Sequence, residues 1–65
     1  MDNEMLKTLV RNSSVIGLEM LEFKPNNSLF VSYRGNTRLA ISFDSAKDRA
    51  KFHQEILDKM LLEAQ

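Results

Sequence analysis

Sixty-five residues make one small domain, and a chain of this size buries only about 60% of the surface its unfolded form exposes, so its stability margin is narrow. Cysteine is absent, which excludes disulfides and thiolate metal sites and leaves self-association as the available source of extra burial. Nine basic residues balance nine acidic ones; no whole-molecule field draws the chain to nucleic acid or to an anionic membrane, and any such binding has to be local.

The opening residues, Met1 to Val10, lack the basic start and long apolar core of a secretory signal. No run nears the roughly 20 apolar residues that span a bilayer. The expectation is a soluble, cytoplasmic protein without a membrane partner.

From Asn3 to Asn12 the apolar residues Met5, Leu6, Leu9 and Val10 fall at helical spacing, with Asp2 or Asn3 to cap the start and Glu4 in the first turn. Asn12, Ser13 and Ser14 end this helix, because their side chains compete for backbone hydrogen bonds. Val15 to Phe23 reads as a strand whose alternation slips. Ile16, Leu18 and Met20 share one face, whereas Leu21 and Phe23 belong to the other. A bulge near Met20 repairs the phase and keeps Glu19 and Glu22 in water.

Lys24 to Asn27 form the next turn, with Pro25 fixing one dihedral and the asparagines tolerating a left-handed conformation. In the second strand Leu29, Val31 and Tyr33 line one face; in the third Leu39, Ile41 and Phe43 do so. Gly35 and Asn36 permit the positive dihedrals that a short hairpin demands. The opposite face carries Phe30, Ser32, Arg34, Arg38, Ala40 and Ser42 and is mixed in character.

The last helix opens at Ser45, with Asp48 three residues on as an approximate capping box. Ala46, Ala50, His53, Ile56, Leu57, Met60 and Ala64 trace its apolar stripe, with Phe52 and Leu61 at the margins. Glu55 and Lys59 are spaced for an ion pair on the wet side. The fold class is therefore α+β. A short N-terminal helix, a three-stranded antiparallel meander and a C-terminal amphipathic helix covering one sheet face make a single domain over residues 1–65.

The chemistry-bearing residues are sparse. His53 is the only histidine, so no site of several imidazoles can form, and its place on the stripe makes it a packing residue. No serine stands in a nucleophile elbow. The acids Asp44, Asp48, Glu55 and Asp58 serve capping and solubility. A unit this small has little volume for a pocket of roughly 300 Å³ beside its core. Two separated glycines cannot build a phosphate loop. Met1, Met5, Met20 and Met60 read as core gap fillers. No catalytic residue, metal ligand set or cofactor is expected.

Two groups remain. Basic side chains interleaved with aromatics on a sheet are what readers of single-stranded RNA use, and Phe30, Arg34 and Arg38 have that character, with Tyr33 on the opposite face. The third strand is bare of charge and proline from Leu39 through Ala40 and Ile41 to Ser42, unlike the first, which Glu19, Glu22 and the bulge defend. This edge can pair with its two-fold mate into a six-stranded sheet or accept a partner's strand, unless the first helix or the chain's ends cover it and leave a monomer.

The span from Val10 to Asn36 resembles the short bacterial domain known as KTSC, found at the C-terminus of some lysyl-tRNA synthetases and as a free-standing small protein. The likeness rests on Ser13 and Ser14 before an apolar strand and on the spacing of Leu29, Val31, Tyr33 and Gly35. It implies RNA as a ligand. The residues themselves point first to a non-catalytic protein-interaction module, a small regulator or inhibitor of bacterial or phage type that self-associates as a dimer. RNA binding through Phe30, Arg34 and Arg38 is the alternative and a small enzyme the least favoured.

Overall fold

The computed structural model describes residues 2–65; Met1, read above as a gap filler, lies outside the described residues. Five elements follow in chain order: α1 (Asn3–Asn12), β1 (Leu18–Lys24), β2 (Ser28–Tyr33), β3 (Thr37–Ser42) and α2 (Ala46–Glu63). The sheet is an antiparallel meander in the order β1-β2-β3. The α+β architecture inferred from periodicity is the one observed.

α1 begins where Asp2 accepts from the Met5 N–H at 2.8 Å, a capping interaction worth about 1 kcal/mol. Asp2→Ala is expected to lower stability by roughly that amount in a denaturant titration. The capping acceptor is Asp2 and not Asn3, whose side chain is committed elsewhere. α2 begins with the expected Ser45 cap, whose hydroxyl accepts from the Asp48 N–H at 3.1 Å.

β1 starts three residues later than its apolar run. Ser14 Oγ accepts from the Ile16 N–H at 3.1 Å, and the Glu63 carboxylate takes the Val15 N–H and the Ser14 hydroxyl. The Val15 and Ile16 amides are consumed by side chains, so these residues turn instead of pairing, and the Gly17 carbonyl is the first to meet the neighbouring strand's end, accepting from the Arg34 N–H at 2.9 Å. The predicted bulge is present, between Leu18 and Met20 in the register against β2. It breaks up the trio read as sharing a face: Leu18 packs against the core, Met20 is half exposed and Ile16 lies outside the sheet. Asn26 and Asn27 both adopt positive φ in the first hairpin, and Gly35 and Asn36 do so in the second.

The core gathers Leu29, Val31, Ile41 and Phe43 from the sheet side, Val10 from α1, and Phe52 and Ile56 from α2. Leu29, Val31 and Ile41 are fully buried, each contributing about 1.5 to 3 kcal/mol of transfer free energy. Phe43 and Phe52 meet at a ring separation of 5.5 Å.

The face that α2 buries is rotated from the predicted stripe. Phe52 and Ile56 are its centre, whereas Ala46, Ala50 and Ala64 are exposed. The reason is size, because two large side chains one turn apart outweigh three alanines in buried area. The predicted ion pair between Glu55 and Lys59 is also replaced. Glu55 pairs with Arg11 at 3.2 Å, and Lys59 turns to the carbonyl oxygens of Val10, Arg11 and Ser13. Both interactions tie α2 to α1.

Candidate functional site

Covering one sheet face with helices leaves the other open. In register, Met20 stands beside Ser32 and Arg38, Glu22 beside Phe30 and Ala40, and Lys24 beside Ser28 and Ser42. Alternation sends these side chains to the uncovered side. Phe30 is central and half-buried. Lys24 Nζ stands 5.4 Å from its ring centroid and 3.3 Å from Glu22. A shallow depression of about 170 Å³ lies here, lined in part by Met20, Glu22, Phe30 and Arg38. Its charges are of both signs.

Of the residues expected to meet a partner, Phe30, Arg38, Ala40 and Ser42 share this face, and Arg34 lies in the adjoining hairpin turn. Leu39 and Ile41 do not join them. Ile41 is fully buried and Leu39 packs against the core, so neither side chain is open to a partner. Tyr33 falls on the covered side, as its alternation with Phe30 requires.

The free edge of β3 follows from the phase of its ladder. Phe43 donates its N–H to Asn27 at 3.1 Å, so the odd-numbered residues of β3 direct their backbone groups toward β2, and the even-numbered ones direct theirs outward. Arg38, Ala40 and Ser42 therefore form the edge. Ser42 confirms the phase, since its N–H leaves the sheet and donates to Asn3 Oδ1 at 3.1 Å. That single cap closes one end and leaves the N–H and C=O of Arg38 and Ala40 outside the sheet's own ladder. Periodicity could not reveal the Asn3 cap on this edge, because nothing in the sequence links residues 39 positions apart.

α1 runs beside β3. Arg11 faces α2, pairing with Glu55 and covering the Phe52 ring at 5.1 Å; Leu9 stands roughly 160° around the helix from it. Met5 and Leu9 are accordingly exposed, at 56% and 45%. Met5 and Met20 are thus surface residues, contrary to their reading as core gap fillers.

His53 packs edge-on against Phe23, with ring centroids 5.0 Å apart. The other side of this arrangement is Arg49, whose guanidinium lies 4.3 Å from the Phe23 centroid and donates to the Lys24 and Ser28 carbonyls. His53→Gln is expected to cost under about 1.5 kcal/mol, the worth of one aromatic pair, and to leave binding functions intact. A folded variant that has lost its function would make His53 a site residue.

The structure corrects one further expectation. A cleft of about 320 Å³ does open beside the core, between α2, the end of α1 and the Val15 turn. Among the described residues no group of three or more potential metal ligands converges, and no helix is long and apolar enough to cross a membrane. Searches against family models, curated proteins and solved structures return no match to this chain.

Proposed function

We propose that this chain is a non-catalytic protein-interaction module whose docking element is the free edge of β3, and that its partner there is a second copy of itself. The observation that carries the reading is the edge: Arg38 and Ala40 offer a donor and an acceptor each, with no bulge, proline or inward charge to discourage pairing. β1 is defended by its bulge and by Glu19 and Glu22. The contrast favours a closed two-fold contact of β3 with β3 over a head-to-tail filament of β3 on β1. Met5 and Leu9 on the neighbouring helix supply apolar surface that a bare ladder lacks.

Sedimentation equilibrium is the direct test. The expected result is a dimer populated at ~100 μM, a concentration that registers contacts worth about 5 to 6 kcal/mol. A monomer at that concentration refutes self-association. Asn3→Ala should tighten the dimer several-fold by freeing the Ser42 N–H, and an unchanged constant would remove Asn3 from the interface. Capture from lysate with and without nuclease separates protein partners from RNA. Binding that vanishes with nuclease, and whose salt slope falls when Arg34 and Arg38 are neutralised together, would transfer the reading to nucleic acid.

A further inference from the structure

The cleft beside the core is remote in kind from the β3 edge. Its floor is made of Val10, Phe52 and Ile56, all among the buried core residues, and its wall of Val15 and Leu18. At about 320 Å³ it falls at the lower end of small-molecule sites. Leu62, at its mouth, is 72% exposed. The rim is tied down, since Glu63 holds Ser14 and Val15 against the end of α2.

The charges around the cleft are spoken for. Arg11 and Glu55 satisfy each other, Lys59 is occupied by backbone carbonyls, and Asp58 accepts from Gln54 at 2.9 Å. A charged ligand would have to break one of these pairings to gain a partner. The Tyr33 phenol differs. It lines the cleft, partly buried, and burial pushes its pKa above the ordinary value. At neutral pH it therefore keeps its proton, and no hydrogen bond among the described residues engages its hydroxyl.

We infer that this cleft binds an uncharged, predominantly apolar small molecule of two or three aromatic rings, oriented by a hydrogen bond to the Tyr33 hydroxyl. The apolar floor supplies the affinity and the phenol the orientation, the usual division of labour in such sites. Pairing at β3 is not required for it.

N-phenyl-1-naphthylamine, a neutral two-unit aromatic with one N–H, is the probe. Its fluorescence should rise saturably at one site per chain, and the sulfonated anilinonaphthalene should bind more weakly. Tyr33→Phe should weaken the neutral probe about 3- to 10-fold, the value of one hydrogen bond. Val15→Trp, which fills the cleft, should weaken it more than about 10-fold with the circular dichroism unchanged. Should that variant fail to fold, amide shift mapping on the unaltered protein decides. Probe-induced shifts centred on Val15, Leu18, Ile56 and Lys59 support the assignment. Shifts centred on Arg38 to Ser42 or on Met5 and Leu9, equal binding of the sulfonated probe, or no saturable binding at 1 mM overturn it.

Discussion

Replacing Lys59 with methionine is expected to lower the stability of the fold by about 2 to 3 kcal/mol, read as a fall in the urea midpoint at unchanged slope. A helix leaves its last carbonyls without intrahelical donors, and the negative end of its dipole lies there too. At the end of α1 a single ammonium answers both needs. Lys59 Nζ reaches the Val10 carbonyl at 3.2 Å, the Arg11 carbonyl at 2.5 Å and that of Ser13 as well. Methionine preserves most of the stem that lies along the apolar surface and deletes only the charge and its donors. A core of this size rarely supplies more than about 3 to 5 kcal/mol in total, so much of that margin would go. A change under about 0.5 kcal/mol would mean that Val10 and Leu6 hold α1 by packing alone.

The sequence was informative wherever the controlling interaction was local. Helix α1, both caps, the bulge beside Met20 and the left-handed residues of the two hairpins are decided by neighbours within a few positions, and each is where periodicity and turn chemistry put it. Where it misled, the deciding contact was distant. Val15 has a strand-like side chain, yet its amide is taken by the Glu63 carboxylate at the far end of the chain. Glu55 and Lys59 have the spacing of a pair, yet Arg11 and the end of α1 compete for them and win. A surface pair on one helix is worth a few tenths of a kcal/mol, whereas a charge satisfying buried or half-buried carbonyls is worth several times more.

The candidate site divides along the same line. Alternation alone sufficed to put Phe30, Arg38, Ala40 and Ser42 on one face and Tyr33 on the other. It equally implies that Leu39 and Ile41 face inward, so what they lend a pairing strand is the continuity of its backbone and not a side chain. The ladder phase, which says whose amides are free, depends on how the hairpin closes. That information lies in the Phe43 and Asn27 pairing and not in the pattern of apolar residues.

Ala40→Pro should weaken self-association at least ~100-fold, a loss of about 3 kcal/mol of contact free energy, while the monomer stays folded. The Ala40 amide points away from β2, so proline there removes no bond from the chain's own sheet, which is the one circumstance in which strands accept it. In a two-fold pairing centred on this residue, each Ala40 amide would donate to the Ala40 carbonyl of the other copy. Each Arg38 amide would meet a Ser42 carbonyl, an acceptor that remains free even with Asn3 capping the Ser42 N–H. Proline deletes both central donors and places its ring where the second strand must approach. Arg38 would face Ser42 and not another arginine, so the register carries no opposed charges, and Ser42→Lys should introduce them and weaken the contact further. Leu39→Pro is the control. Its amide points inward to β2, and it should unfold the domain by breaking the ladder beside the fully buried Val31. Should Ala40→Pro dimerise with the constant of the unaltered chain, the contact does not run through β3, and the exposed flank of Met5 and Leu9 becomes the surface to alter next.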